Sequence, residues 1–161
     1  MHPYLACNFL VSGAEVAPMT RPQTRFEANT LATPDAITDL TDQVMAFLSH
    51  HGVETRATHH TALVLNEVLT NLGTHGGCSE RPAKIALVVE PDKVTGEIVD
   101  AGPPFDPRLA PEPTLDVALD DRPIGGLGLY LVKKLSSALE YTRRNEQNYT
   151  SFAISRQERA E

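Results

Sequence analysis

The sequence predicts a two-layer α+β sandwich, in which one mixed, mostly antiparallel sheet is covered on one face by helices. Three observations lead there. Strand-like and helix-like runs fall in the order β-α-α-β-β-α-β-β, grouped rather than alternating one for one. Two pairs of strand-like runs are separated only by short turn segments. The 161 residues, 41% of them hydrophobic, make about one ordinary domain, and 12 prolines with 10 glycines break the chain too often for long bundle helices.

Residues 1–22 have no clear periodicity and are read as an extension outside a core spanning 23–157. From Thr24 to Thr30, Phe26 and Ala28 alternate with polar neighbours, as in a half-buried strand. Thr33-Pro34-Asp35 opens a helix, with Thr at the cap, Pro in the first turn and an acid near the positive end of the dipole. Ile37, Leu40, Val44 and Phe47-Leu48 continue it at helical spacing until Gly52. A second helix is expected over 55–74, with an apolar stripe of Ala62, Leu65, Leu69 and Leu72, stopping at Gly76-Gly77. The β-rich runs 84–90 and 94–99, joined by Pro91-Asp92-Lys93, form an antiparallel hairpin. Prolines at 103, 104, 107, 111, 113 and 123 then leave a long stretch, about 103–125, without regular pattern. A loop of that length in a compact domain suggests a functional lid. Helical spacing returns over 126–137 with Leu127, Leu131 and Leu135, and strands at 139–144 and 149–155 close the chain around a turn at 145–148.

Fourteen Lys and Arg against 21 Asp and Glu give a net charge of −7, which disfavours a broad nucleic-acid-binding face. Two cysteines, Cys7 and Cys78, are too few for a disulfide framework or a four-ligand zinc site. The adjacent pairs His50-His51 and His59-His60 do not face one another on a helix, and no cysteine or acid completes a metal set with them. No window approaches the roughly 20 apolar residues of a membrane span. The apolar run near the N-terminus has no Lys or Arg before it, as a signal peptide would. A cytoplasmic protein without a membrane or direct nucleic-acid partner is expected.

Three elements carry chemistry. Glu67, Asn71 and His75 lie four apart on the second helix and share one stripe, away from the leucines. The carboxylate can accept a proton, and the amide oxygen can bind a hard cation; the same pattern also suits a solvated polar face. Asp100 ends a strand two residues before Gly102. It can accept a hydrogen bond from an exocyclic amine while the glycine admits a flat base, or it can simply start a turn. Gly125-Gly126-Leu127-Gly128 opens a helix, where bare N–H groups and the dipole suit a phosphate. It lacks the Lys-Ser/Thr of a P-loop and does not follow a first parallel strand. Arg143-Arg144 reads as a solvated strand end, and Arg122, at the end of the lid, as either a phosphate contact or a surface residue.

Together these elements resemble the GHKL (Bergerat-fold) ATPases, and among them the anti-sigma-factor serine/threonine protein kinases of bacterial partner-switching systems. The family's Glu-x-x-x-Asn is matched by Asn66-Glu67-Val68-Leu69-Thr70-Asn71, and its Asp-x-Gly by Asp100-Ala101-Gly102. Pro103-Pro104-Phe105-Asp106-Pro107 resembles the anti-sigma branch, and Arg122-Pro123-Ile124-Gly125-Gly126-Leu127-Gly128-Leu129 the third motif. The resemblance covers roughly 24–156. It implies that Glu67 is the general base toward a partner's hydroxyl, that Asn71 holds Mg²⁺ on ATP, and that Asp100 and Gly102 receive adenine. It further implies that Gly125, Gly126, Leu127 and Gly128 meet the phosphates, and that Thr150, with Ser151 as its rival, supports the adenine contact. The implied partners are an anti-anti-sigma (STAS) substrate and a sigma factor or other regulator, with a homodimer implied by resemblance alone. Leu72 stands where relatives have Ala, and Gly73, Gly76 and Gly77 loosen the end of the helix. Two other readings stand beside the kinase. One is an ATP-binding module that sequesters a partner without transferring phosphate. The other is the catalytic domain of a histidine kinase; the Pro-Pro-Phe-Asp-Pro run argues against it, and the stretch before residue 24 is expected to be too short for a dimerising helical domain.

Overall fold

The computed structural model describes residues 24–75, 80–110 and 127–157. They form β1 (Thr24–Thr30), α1 (Pro34–His50), α2 (Thr55–His75), β2 (Ala83–Val89), β3 (Lys93–Asp100), a single 3₁₀ turn (Pro107–Leu109), α3 (Leu127–Leu135), β4 (Ala138–Arg144) and β5 (Gln147–Ser155). The five strands make one sheet in the order β1-β2-β3-β5-β4, with the helices packed on it. The extension at 1–22, Gly76-Gly77, Cys78, and the segment with Arg122, Gly125 and Gly126 lie outside the described residues.

Every pairing among the described strands is antiparallel, which corrects the expected mixed sheet. β4 does run in the same direction as β3. The two never pair, because a two-residue turn folds β5 back between them. In that turn Asn145 and Glu146 both have positive φ, 49° and 60°, the backbone of a tight hairpin turn whose twist matches that of the strands. β5 therefore begins at Gln147, two residues earlier than its alternation suggests. The turn between β2 and β3 is likewise tight, closed by the Glu90 N–H donating to the Lys93 carbonyl at 2.9 Å.

α1 starts where the sequence places it. Thr33 occupies the extended cap position and Pro34 the first turn, but the Thr33 side chain makes no capping hydrogen bond. The chain leaves α1 through Gly52, whose φ of +68° favours glycine. Ile37, Leu40, Val44 and Leu48 of α1 and Leu65, Val68, Leu69 and Leu72 of α2 are buried over the sheet, against Ile85, Leu87, Val94, Ile98 and Ile154. A Cβ on Gly96 would collide with the ring of Phe152, its register partner, so glycine there lets that ring lie across β3.

The alternation of β3 and β5 positions the site. Val94, Gly96, Ile98 and Asp100 form one buried row, facing Ile154, Phe152, Thr150 and Asn148 in register. The apolar core thus ends, at one edge, in a buried polar pair: Asp100 opposite Asn148.

Candidate functional site

The helix-borne half of the site lies on α2. Its leucines face the core, which leaves Glu67 and Asn71 half-buried and His75, the last helical residue, exposed. Asn71 Nδ2 donates to the Glu67 backbone carbonyl at 2.6 Å. That bond commits the nitrogen end of the amide to the helix and turns its oxygen, the end suited to a hard cation, away from it. The Glu67 carboxylate packs against Gly128 in the first turn of α3, where a Cβ would collide with it. Leu127 opens α3, and α3 packs on α2. The contact therefore brings a carboxylate to the positive end of a helix.

The strand-borne half is more deeply enclosed. Asp100 is 3% exposed, and its Oδ1 accepts from the Gly102 N–H at 2.8 Å and from Asn148 Nδ2 at 2.9 Å. The first of these bonds is the turn that an Asp favours with the backbone two residues on. Thr150, 4% exposed, lies on the same buried row, whereas Ser151 is carried by strand alternation to the opposite face of the sheet. Of the two rivals, Thr150 is the one on the Asp100 side.

The chain leaving this end, the first part of the stretch expected to be a lid, is tied down. Phe105 packs against the core. Asp106 caps the 3₁₀ turn by accepting from the Arg108 N–H at 3.0 Å and pairs with the Arg108 guanidinium at 2.7 Å. The Arg108 hydrogen bonds hold the Asp106 carboxyl below its usual range. Lys133 of α3 donates to the Ala110 carbonyl at 2.8 Å, fastening this stretch to α3. The rest of the expected lid, 111–125, is outside the described residues. At the far end of α2, burial and the neighbouring Arg56 charge hold His60 below the usual histidine range. No helix among the described residues is long and apolar enough to cross a membrane.

A family model described as a histidine kinase-like ATPase domain matches residues 30–154. The chain belongs to that family. The serine/threonine-protein kinase BtrW of Bordetella bronchiseptica is 35% identical over 92 residues, which are 56% of this chain and 65% of that kinase. The chain thus spans just under two thirds of that relative. A crystal structure of RsbU and RsbW domains from Mycobacterium tuberculosis has a TM-score of 0.58 at 16% identity, over 84% of this chain and 34% of that one. The SiaB–SiaC complex of Pseudomonas aeruginosa gives 0.54 at 12% identity, over 81% and 89%. At those identities the structural likeness speaks for the fold alone, and that fold is the expected Bergerat sandwich.

Within this ATPase domain, the structure places Glu67 and Asn71 on α2, Leu127 and Gly128 at the start of α3, and Asp100, Gly102 and Thr150 at the end of the β3–β5 ladder. One sequence expectation is incomplete. Arg143 is an exposed strand-end residue, as expected, but it also has partners: its Nη1 donates to the Gly102 carbonyl at 3.0 Å and to Asn148 Oδ1 at 2.7 Å. Arg144 lies over the Tyr149 ring at 4.1 Å. Asn148 and Tyr141, also part of this cluster, were missed. Hairpin alternation puts Tyr141 and Arg143 on the same face as Asn148, but only the β3–β5 register brings that face to Asp100.

Proposed function

We propose that this ATPase domain is an ATP- and Mg²⁺-dependent protein serine/threonine kinase of the anti-sigma-factor type. Its substrate would be a hydroxyl of an anti-anti-sigma (STAS) antagonist, and its regulated partner a sigma factor or comparable regulator. The observation that carries the reading is the placement of Glu67 and Asn71 on one face of α2, with Glu67 beside Gly128 in the first turn of α3 and Asp100 buried at the end of β3. The similarity to a serine/threonine kinase supports the reaction class.

In this reading Asp100 accepts the exocyclic amine of adenine, and Gly102 lets the base approach the backbone. Thr150 supports Asp100 from the same face. The N-terminal turn of α3, with Gly128 and the preceding Gly125 and Gly126, offers N–H groups to the phosphates. Mg²⁺ held by the Asn71 amide oxygen would supply charge neutralisation on the phosphates. Glu67 takes the proton from the partner's hydroxyl as that oxygen bonds to the γ-phosphorus; the bond to the bridging oxygen breaks, and ADP leaves. The fit of these residues is physical. The Asn71 oxygen is the end turned from the helix, and position 128 has no Cβ to fill the space next to the carboxylate.

The test pairs binding with transfer. Melting curves with Mg-ATP, Mg-ADP and Mg-GTP, run beside Asp100→Asn, measure the nucleotide site. A ligand at about 100 times its Kd adds roughly 2.7 kcal/mol. Transfer of the γ-phosphate to a purified STAS-domain protein, followed by phosphopeptide mass spectrometry, measures the reaction. Nucleotide binding without transfer to any STAS protein offered would overturn the kinase reading and leave a sequestering module.

A further inference from the structure

We infer that Asn148, braced by Arg143 and Tyr141, sets this site's preference for adenine over guanine by fixing the orientation of the Asp100 carboxylate. The inference rests on the ATP-binding reading above and concerns a residue to which that reading gives no role.

Asn148 is 1% exposed, so each of its polar atoms needs a partner inside the protein. Each has one. The two amide hydrogens point to Asp100 Oδ1 and to the Pro103 carbonyl, both at 2.9 Å. The amide oxygen accepts from the Tyr141 hydroxyl at 2.8 Å and from Arg143 Nη1 at 2.7 Å. Acceptors surround the nitrogen and donors surround the oxygen, so the partners themselves dictate which way the amide lies. Arg143 Nη1 also donates to the Gly102 carbonyl at 3.0 Å. One cluster therefore holds the recognition carboxylate and the backbone on both sides of the glycine that would line the base.

With Oδ1 bonded to both the Gly102 N–H and the Asn148 amide, the carboxylate plane cannot rotate without breaking a buried hydrogen bond. An ionised carboxylate only accepts. Adenine presents a donor amine at the six-position, whereas guanine presents an acceptor carbonyl. A carboxylate held in place attracts the first and repels the second. A carboxylate able to turn aside loses both the attraction and the repulsion, and the discrimination with them.

The experiment measures Mg-ATP and Mg-GTP affinities of the full chain by calorimetry, for the wild type, Asp100→Asn, Asn148→Asp and Arg143→Met. Asn148→Asp is nearly isosteric but replaces the donor facing Asp100 with an acceptor. Its ratio of ATP to GTP affinity is expected to fall about tenfold, as for one lost buried hydrogen bond to a charged group. Arg143→Met removes one brace at the exposed edge, and about a threefold fall is expected. A merely structural role would scale both affinities together through the folded fraction and leave the ratio unchanged; that result in both variants overturns the inference. If Asn148→Asp does not fold, the ratio for Arg143→Met decides. A wild type that does not bind Mg-ATP overturns the ATP-binding reading itself. A wild type whose binding is lost in Asp100→Asn, beside unchanged ratios in the other two variants, overturns the inference alone.

Discussion

The two ends of the site are built differently. At the strand end, Asp100, Asn148 and Thr150 are buried, and both ends of the Asn148 amide are saturated by neighbours. At the helix end, Glu67 and Asn71 are half-buried. Asn71 bonds back to its own helix, and Glu67 rests in a notch at Gly128. Recognition of a flat base gains from donors and acceptors fixed in advance. A carboxylate in the proposed role of general base would instead have to meet a hydroxyl brought by a partner protein, and half-burial keeps Glu67 open to that. The contrast teaches that stability and specificity should be concentrated at the strand end, and turnover at the helix end.

The largest effect expected is on turnover. If Glu67 is the general base of the proposed transfer, Glu67→Gln should lower it by roughly 10²–10⁴-fold. Mg-ATP affinity should stay within about twofold and the melting temperature within about 1 °C, since no buried partner is stranded. A loss of ATP affinity equal to the loss of transfer would break the contrast. At the strand end, Asp100→Ala should do the reverse. It strands the Asn148 amide and the Gly102 N–H, at a cost of about 1–3 kcal/mol, or on the order of 5 °C in melting temperature for a domain of this size. Differential scanning fluorimetry without nucleotide checks this apart from any effect on binding.

Gly128→Ala sharpens the comparison at the boundary between the two ends. Alanine is the better helix former by about 1 kcal/mol, but its Cβ would occupy the place of the Glu67 carboxylate. Transfer should fall roughly tenfold with the melting temperature nearly unchanged. Single-turnover transfer, with nucleotide affinity measured in parallel, separates a displaced Glu67 from a damaged phosphate site.

The two halves also differed in how legibly they were written in the sequence. Glu67 and Asn71 were readable because a helix repeats every 3.6 residues, so a spacing of four means a shared face. Asp100 was readable because a strand-ending acid before a glycine is a local pattern. The cluster behind it was not, because Asn148 meets Asp100 across 48 residues of chain and only the β3–β5 register makes them neighbours. The partners of the exposed Arg143 are illegible for the same reason: two adjacent arginines on a strand point to opposite faces, and only pairing tells which one meets Asn148. The all-antiparallel sheet depended on the turn at Asn145 and Glu146. Asn commonly takes a positive φ and Glu rarely does, so the signal for a two-residue turn was weak.

The smallest effect tests whether exposure alone separates a strong carboxylate site from a weak one. Asp106, like Asp100, accepts from a backbone N–H two residues on and from a cationic or amide side chain. Its partner Arg108 is substantially exposed, so solvent screens the pair. The hydrogen bonds from Arg108 hold the folded-state carboxyl below its unfolded value of about 3.9. A depressed carboxyl stabilises the fold above the unfolded value, and that contribution is lost as the pH falls through the folded one. Asp106→Asn should therefore cost less than about 1 kcal/mol at pH 7, and the difference from wild type should shrink as the pH falls below the unfolded value. Urea unfolding at pH 7 and at pH 3 checks both values. A cost at pH 7 as large as that of Asp100→Ala would mean that the 3₁₀ turn, and not the buried cluster, holds the chain after β3 in place.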